Sequence, residues 1–407
     1  MKLDFRLPRR VRLVYFGRIG LGILRNYITE QDVAIYENPR QRLNVWVALR
    51  MLLSGDRTEF SYYRAFLRWT KPRAVITMED NNITFYATKA LRPECKSIAI
   101  QNGIRHSMSH STDSSFATEL TRVSKLGFGA DIIGSLGGLG TQFYSQALPK
   151  HSETRIIEVG NLINNATPIS QSDAHDTMKR LVFISKYPNR GSGETDPTWD
   201  SEILQYIGEV GFTAEKYHAV EGVVARSCAE FAATEGLRFV VLGKRPAWQT
   251  GERRFFAKYL RDLEWEYLPS TTQSSSYESV RASDVIVNID STLGYEFFAR
   301  GLRVAFVAAR MSHSGHPEIV ETNFGYPSVT EPCGAYWTNV ASKSEIFRVL
   351  QYVTGLEVAD WLSRTSTVRD SLLVYDEMNR IFCELLNELR IENTGPRFWT
   401  RELIPQN

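Results

Sequence analysis

The segment spanning residues 282–307, ASDVIVNIDSTLGYEFFARGLRVAFV, constrains the fold of this chain more than any other stretch. Its apolar pattern predicts a buried strand at 285–289 and a second strand at 303–308. Between them, a polar turn leads into a predicted helix at 293–300 that ends at Gly301. A strand, a helix and a strand in this order form one right-handed unit of a parallel sheet. The chain is therefore expected to contain an α/β domain whose ligand site lies in the loops that follow its strands.

The polar turn of this unit suits a phosphate group. Ser291 and Thr292 supply hydroxyl and backbone N–H groups at a helix N-terminus, where the helix dipole favours an anion. Glu296 follows one helical turn later, and its carboxylate could accept hydrogen bonds from a sugar diol such as a ribose. The alternative interpretation is structural, with the hydroxyl residues capping the helix and the acid in its first turn.

The sequence DSTLGYEFFARGLRVAFV, residues 290–307, resembles the donor-site segment of GT-B glycosyltransferases. The resemblance is to bacterial transferases that build capsule, lipopolysaccharide and other surface carbohydrates. It implies that Ser291 and Thr292 hold the nucleotide phosphates and that Glu296 holds the ribose. It also implies an α/β fold with two doubly wound, Rossmann-like domains facing one another across a cleft. No cofactor is expected, because the nucleotide sugar is a substrate.

Length and charge agree with a globular protein of this kind. A chain of 407 residues is long for one core and comfortable for two domains. Its 48 Lys and Arg residues nearly balance its 46 Asp and Glu residues. A nucleic-acid-binding protein usually has a marked basic excess, so no nucleic-acid partner is predicted.

The expected location is the cytoplasm, for two reasons. Four scattered cysteines without metal-binding spacing indicate free thiols in a reducing compartment. No apolar run approaches the length of about eighteen residues that a membrane span needs. A basic N-terminus could still make a peripheral contact with the inner face of the membrane, although a solvated face is the alternative. Its basic residues are Lys2, Arg6, Arg9, Arg10 and Arg12.

A domain boundary is predicted near residue 170, because residues 164–176 have the Asn, Ser, Thr, Asp and Pro content of a linker. Residues 1–170 are then an N-terminal, acceptor-binding Rossmann-like domain. Residues 171–375 are a C-terminal domain that binds the nucleotide sugar, and residues 376–407 form a helical tail. The resemblance implies that this tail returns to the N-terminal domain.

The first domain contains a candidate catalytic base. A strand predicted at 74–78 delivers Glu79 and Asp80 to its carboxyl end, where parallel sheets bind ligands. Either carboxylate could point across the cleft and take a proton from an acceptor hydroxyl. The alternative is that one of them caps the helix predicted to begin at Ile83.

The next loop supplies acceptor-side candidates. IQNGIRH, residues 100–106, resembles the glutamine, histidine, glycine turn of capsule polymerases and teichoic-acid-type transferases. Asn102 occupies the histidine position, and an amide cannot take up a proton at neutral pH. His106 or His110 could take the place of that histidine, and the alternative is that both are surface-loop residues. Asn102, Arg105 and His106 are the acceptor-side candidates.

In the second domain, basic residues follow successive predicted strands. Lys186 and Arg190 follow a strand at 180–185, and Lys244 follows a strand at 238–242. Parallel strands end at one edge of a sheet, so these cations should gather with Ser291 and Thr292 around a phosphate. No metal site is predicted, since cations at the phosphates would replace Mg²⁺. The alternative is scattered bases on solvated loops.

Together these features predict a nucleotide-sugar-dependent glycosyltransferase that acts on a growing surface glycan or a lipid-linked acceptor. The resemblance favours a CMP donor carrying an acidic sugar such as Kdo or a nonulosonic acid. A nucleotide-sugar epimerase, a polyol-phosphate transferase and a non-catalytic carbohydrate-binding or assembly protein share the scaffold and stay as alternatives. Retention and inversion are both left open.

Overall fold

The chain divides into two compact units, each built on a parallel sheet. The computed structural model describes residues 2–28, 33–105, 111–169, 179–187, 214–272, 274–310 and 333–391. The first unit comprises Met1–Ala166 and Leu373–Asn407, and the second comprises Thr167–Leu372. Each contains a six-stranded sheet in which neighbouring strands are parallel. The predicted α/β fold of two doubly wound units is confirmed.

Strands and helices alternate along most of the chain, as parallel sheets require. The strands are β1 (Lys2–Asp4), β2 (Leu13–Phe16), β3 (Val33–Tyr36), β4 (Arg42–Asn44), β5 (Ala74–Thr77), β6 (Lys96–Ile100), β7 (Ile132–Ser135), β8 (Arg155–Glu158), β9 (Arg180–Ile184), β10 (Arg238–Leu242), β11 (Glu266–Leu268), β12 (Val285–Asn288), β13 (Arg303–Val307) and β14 (Trp337–Thr338). The helices are α1 (Leu21–Leu24), α2 (Val45–Leu53), α3 (Glu59–Thr70), α4 (Ile83–Leu91), α5 (Ser111–Ser124), α6 (Gly138–Ala147), α7 (Leu162–Ala166), α8 (Ala214–Thr234), α9 (Gly251–Leu260), α10 (Ser275–Glu278), α11 (Thr292–Ala299), α12 (Lys343–Gly355), α13 (Val358–Leu372) and α14 (Arg380–Glu388).

The sheet of the first unit has the order β3-β2-β5-β6-β7-β8 and is buried on both faces. Successive side chains of a strand point to opposite faces. Val14 and Phe16 of β2 accordingly join one hydrophobic core, whereas Leu13 and Tyr15 join a second core on the other face. Two covered faces explain why the strands are apolar throughout rather than alternating with polar residues.

The C-terminal helix α14 belongs to the second of these cores. Phe382 and Leu386 are fully buried there. Just before the helix, the buried Asn379 side chain donates hydrogen bonds to the Tyr27 hydroxyl at 2.5 Å and to the Leu162 carbonyl at 2.8 Å. The segment that begins at Leu373 is thus fixed to the first unit by both apolar packing and a buried amide.

The sheet of the second unit has the order β11-β10-β9-β12-β13-β14. The segment at 282–307 forms β12, α11 and β13 as predicted, with ends that agree within one residue. Gly301 has a φ of 85°, the left-handed conformation that ends helices and that residues with a side chain rarely adopt.

Among the residues that the structure describes, no helix has the length and apolar character needed to cross a membrane. The four cysteines are free thiols; three are buried and Cys333 is exposed.

Candidate functional site

The strand order of the second unit places its switch point between β9 and β12. The chain leaves β9 for β10 on one side, and β12 pairs with β9 on the other. At such a point the connections diverge and leave a crevice at the carboxyl ends of the strands, where open α/β sheets bind ligands. Lys186 follows β9, and Asp290 and Ser291 follow β12. Two of the predicted phosphate contacts, Lys186 and Ser291, therefore flank the switch point.

Lys186 is held at this point by its side chain and its backbone. Its Nζ donates to the Asp290 carbonyl at 3.2 Å and lies 3.8 Å from Asp290 Oδ1. Its backbone N–H donates to Glu221 Oε2 at 3.0 Å. The Lys186 side chain is one-third exposed, whereas both acids are buried. A partly exposed lysine side chain is thus held beside two buried carboxylates.

Arg310, which follows β13, fixes both acids. Its guanidinium donates to the two carboxylate oxygens of Asp290 at 2.5 and 3.0 Å and to Glu221 at 3.0 Å. Arg310 is itself buried. Burial alone would raise the pKa of Asp290, but Arg310 and Lys186 hold that pKa well below its usual range. Burial also raises the pKa of Glu221, but Arg310 lowers it, and the net effect is a decrease. Both acids are therefore ionised at neutral pH.

His218 completes the buried network from α8. Its Nδ1 lies 3.6 Å from Glu221 Oε1. Burial lowers the pKa of His218, with Glu221 opposing and Arg310 adding to the decrease, so the imidazole is neutral at pH 7. Two cations, Lys186 and Arg310, then balance two carboxylates. The network as a whole is therefore close to electrically neutral.

The loop after β12 is shaped by Asn288. Its side chain accepts from the Ser291 backbone N–H at 3.0 Å and donates to the Ser291 carbonyl at 3.1 Å. A Cβ on Gly294 would lie 2.2 Å from the Asn288 side chain, so the close approach of α11 requires glycine there. Ser291 occupies the N-cap position, but among the described residues its side chain makes no capping hydrogen bond. The capping alternative therefore does not account for the Ser291 hydroxyl, and both Ser291 and Thr292 are half-exposed.

Glu296 is more buried than a contact with a sugar at the protein surface would require. Glu296 is 2% exposed, and its carboxylate accepts a hydrogen bond from the Tyr277 hydroxyl at 2.5 Å. Burial first, and then Glu296, raise the pKa of Tyr277 well above its usual value, so the phenol stays a donor. Tyr277 thus fixes the orientation of Glu296, and the contact with a ribose stays a prediction.

The exit loop of β10 is tied to that of β9 by Glu252 of α9. This buried carboxylate accepts from the Ser185 hydroxyl at 2.5 Å and from the Tyr267 hydroxyl at 2.7 Å. It also accepts from the backbone N–H groups of Lys244 and Arg245. Burial raises the pKa of Glu252, although these four donors oppose the increase. The Lys244 side chain is exposed on a loop that Glu252 fixes, whereas Arg190 lies outside the described residues.

The first unit has its own switch point, between β2 and β5. Glu79 follows β5, and its Oε1 accepts from the backbone N–H of Arg18 at 3.0 Å and, at 3.5 Å, from that of Ile19. Gly17, which follows β2, has a φ of 84°, and a Cβ there would lie 2.0 Å from the Glu79 carboxylate. Glu79 is partly exposed. It is therefore a carboxylate seated on a glycine turn at the ligand-binding edge of its sheet.

Asp80 has a different environment. It is 1% exposed, and its carboxylate accepts from Arg105 and from the Tyr144 hydroxyl, each at 2.5 Å. The Asn102 backbone N–H donates to it at 3.0 Å. Both carboxylate oxygens of Asp80 are therefore engaged, Oδ2 with the two side chains and Oδ1 with the backbone. Through these contacts Asp80 positions the loop after β6, and a base role for Asp80 stays a prediction.

The acceptor-side candidates lie on that loop. Arg105 pairs with Asp80, and its guanidinium lies over the Phe116 ring at 5.4 Å. Asn102 is exposed and is held through its backbone, which leaves its side chain at the surface. His106 lies outside the described residues. The structure therefore brings Asp80, Asn102 and Arg105 together and places Glu79 beside β2.

Sequence reasoning missed Arg310, Glu221 and Glu252. Arg310 could have been found, because it follows a strand just as the predicted cations do. Glu221 and Glu252 lie on helices, without a spacing that marks them as partners of a distant loop.

Residues 98–390 match the sequence model of a family described as "putative O-antigen biosynthesis protein". Among curated proteins, none matches the sequence significantly. A structure described as a "putative UDP-N-acetylglucosamine 2-epimerase" from Listeria monocytogenes has a TM-score of 0.50 and 12% identity, covering 96% of this chain and 99% of its own.

Two further solved structures are similar to this chain. The UDP-GlcNAc 2-epimerase of Methanocaldococcus jannaschii, in complex with UDP-GlcNAc and UDP, has a TM-score of 0.49 and 11% identity, covering 95% of this chain and 100% of its own. Acinetobacter baumannii MurG has a TM-score of 0.42 and 12% identity, covering 94% of this chain and 100% of its own. At such identities a structural likeness concerns the fold, and the Listeria structure supports the two-unit α/β class predicted above.

Proposed function

Since the chain belongs to the family described as putative O-antigen biosynthesis proteins, we propose that it transfers a sugar from a nucleotide sugar onto a surface glycan or its lipid-linked precursor. The observation that carries this proposal is the switch point of the second unit. There the Lys186 ammonium and the N-terminus of α11 lie on loops that follow adjacent strands. A cation beside a helix N-terminus suits the phosphates of a nucleotide sugar.

The chemistry of sugar transfer requires such a site. Negative charge develops on the leaving phosphate as the bond to the anomeric carbon breaks. A fixed ammonium and a helix N-terminus stabilise that charge without having to reorganise during the reaction. Lys186 is fixed because its Nζ donates to the Asp290 carbonyl and its backbone to Glu221. Lys244, Ser291 and Thr292 are further proposed phosphate contacts, and Glu296 is the proposed ribose contact.

The acceptor hydroxyl must lose a proton, and we assign that proton to Glu79. Its carboxylate is partly exposed at the switch point of the first unit, and backbone donors orient it. This assignment can be tested separately from the donor site, because Glu79→Gln changes only the first unit and Lys186→Met changes only the second. If transfer proceeds with inversion, Glu79 is the general base.

The proposal is tested first by thermal stabilisation with CMP, UDP, GDP, CDP and their sugars. A ligand that binds only the folded state raises its apparent stability. A selective shift with one nucleotide would identify the donor class, and a shift with CMP would support the CMP-linked acidic sugar. If no nucleotide shifts the transition, the donor-site assignment is wrong.

Lys186→Met tests the phosphate contact, with Lys258→Met as its matched control. Lys258 is an exposed lysine on α9 of the same unit. Losing a charge-assisted hydrogen bond costs about 1.5–3 kcal/mol, so we expect roughly 10- to 150-fold weaker nucleotide binding for Lys186→Met. Lys258→Met should bind as the wild type does, and equal losses in both variants would contradict the assignment.

Turnover separates the alternatives on this scaffold. The proposed transferase needs an acceptor, whereas an epimerase would convert the free nucleotide sugar alone. Product analysis by mass spectrometry distinguishes a transferred sugar from a transferred polyol phosphate. Nucleotide binding without turnover for a panel of glycan and lipid-linked acceptors would favour the non-catalytic alternative.

A further inference from the structure

The first unit carries an exposed apolar surface that its fold does not use. Seven of the twelve exposed large apolar side chains of the described residues lie in the N-terminal segment and α2. Six of them define what we call the α2 face: Phe5, Leu7, Trp46, Leu49, Leu52 and Leu53. A concentrated apolar surface of this kind usually marks a contact site rather than ordinary surface composition.

Helix α2 is apolar on both sides. Val47 is fully buried and packs in the core of the unit. Trp46, Leu49 and Leu53 recur at helical spacing on the opposite side, where they are exposed by 43%, 47% and 88%. A helix packed on one side only would be expected to show polar residues there.

The N-terminal segment is fixed against this helix. The Trp46 indole N–H donates to the Phe5 carbonyl at 2.8 Å, and the Asn44 side-chain amide donates to the Arg6 carbonyl at 2.8 Å. The Asn44 side chain also accepts from the N–H groups of Trp46 and Val47, which caps α2. The backbone at Phe5 and Arg6 is therefore fixed beside the start of α2.

The charge around the α2 face is strongly basic, although the whole chain is nearly balanced. Residues 2–12 and 40–57 contain nine Lys or Arg residues and two Asp residues. Arg9, Arg10 and Arg50 are exposed within these segments. Asp4 is neutralised locally, because it pairs with both Arg6 and Arg42. A partner that buries the apolar residues would meet cations at their rim.

We propose that the α2 face docks the protein onto an anionic lipid surface. Apolar side chains at the headgroup boundary, a tryptophan among them, and arginines that reach the phosphates are the features of interfacial membrane helices. The excess of cations favours an anionic membrane over a protein partner of mixed charge. This inference goes beyond sugar transfer and does not depend on it, because docking needs neither nucleotide nor acceptor.

Vesicle flotation with the full chain tests the proposal. Vesicles of phosphatidylglycerol and phosphatidylcholine in equal parts are compared with vesicles of phosphatidylcholine alone. We expect the wild type to float with the anionic vesicles and much less with the neutral ones. A wild type that binds neither kind, or both equally, would overturn the proposal.

Leu49→Glu/Leu53→Glu tests the apolar contribution, with Leu126→Glu as a control. Leu126 is a 63% exposed leucine of the same unit outside the α2 face. Each leucine withdrawn from the lipid boundary should reduce partitioning on the order of tenfold. The control should float as the wild type does. If the double variant does not fold by circular dichroism, Leu53→Glu alone takes its place.

Arg9→Gln/Arg10→Gln tests the charge, with the exposed pair Arg253→Gln/Arg254→Gln of the second unit as its control. Each arginine near an anionic surface should contribute roughly a fivefold change in binding. Unchanged flotation of both Leu49→Glu/Leu53→Glu and Arg9→Gln/Arg10→Gln would overturn the proposal. Sedimentation showing that Leu49→Glu/Leu53→Glu instead disrupts a dimer would assign the face to a second copy of the chain and also overturn it.

Discussion

Replacing Arg310 by methionine should both destabilise the second unit and weaken nucleotide binding. Arg310 is the buried partner of two buried carboxylates, Asp290 and Glu221. Removing one partner of a buried ion pair leaves an uncompensated charge and costs about 3–5 kcal/mol. For a unit of this size each kcal/mol lowers Tm by about 2–4 °C, so a decrease of roughly 6–20 °C is expected.

The binding effect has a separate cause. Arg310 does not need to touch the ligand, because it holds Asp290, whose carbonyl accepts from the Lys186 ammonium. Substitutions of residues that act through another group typically change affinity by about 0.5–2 kcal/mol, which corresponds to roughly 2- to 30-fold. Isothermal titration with the nucleotide selected above, at a temperature where the variant is folded, measures this change.

Arg180→Met is the matched control for Arg310→Met. Arg180 forms an equally buried pair with Asp284, at 2.6 and 2.9 Å, but at the start of β9 rather than its end. Arg180→Met should lower Tm by about as much as Arg310→Met does and should leave nucleotide affinity unchanged. The reasoning is refuted if Arg180→Met weakens binding as much as Arg310→Met does. It is also refuted if Arg310→Met lowers stability by less than about 1 kcal/mol, the median destabilisation for any substitution.

Three further predictions concern single side chains. Glu79→Gln should abolish sugar transfer and leave nucleotide affinity intact, since it removes a base but no donor contact. Full activity in a radiolabel-transfer assay would show that the base lies elsewhere or that transfer proceeds with retention. Glu296→Gln retains a hydrogen-bond acceptor for Tyr277 but loses the negative charge. If Glu296 contacts the ribose, nucleotide binding should weaken by about 1.5–3 kcal/mol. Unchanged affinity in calorimetry would show that Glu296 does not contact the ribose. Burial lowers the pKa of His218 below its ordinary value of 6.5, so the unfolded chain binds the proton more readily. His218 should therefore favour folding above pH 6.5 and lose that contribution as pH falls through its folded pKa; His218→Gln should flatten this dependence in denaturant titrations, and an unchanged slope would exclude His218 as its source.

The strands and helices could be predicted where the local pattern of apolar and polar residues is strong. The apolar run and the polar turn at 282–307 predicted β12, α11 and β13, because the strands are buried on both faces and Gly301 ends the helix. The sheet order was not predictable from these patterns. Pairing of β12 with β9 joins residues about a hundred positions apart, and only this pairing reveals that Lys186 and Ser291 flank one crevice.

The sequence does not distinguish the roles of the two adjacent acids after β5. Glu79 and Asp80 have the same chemistry and lie on the same turn, so the sequence treats them alike. Consecutive side chains point in different directions, however, and the neighbours of β5 differ. Glu79 meets the glycine turn after β2, whereas Asp80 meets Arg105 and Tyr144 beside β6. The assignment of one as candidate base and the other as positioning residue depends on these contacts alone.

The two switch points present different charged groups, a carboxylate in the first unit and an ammonium group in the second. A glycine turn orients the carboxylate of Glu79 in the first unit, while buried acids orient the ammonium of Lys186 in the second. Sugar transfer with inversion needs both chemistries, because a leaving phosphate must be stabilised by positive charge and an acceptor hydroxyl must lose a proton to a base. A protein that only bound a nucleotide would need the second site without the first. The variants Glu79→Gln and Lys186→Met therefore separate catalysis from binding, and a Glu79→Gln protein that loses affinity as well as turnover would contradict this division.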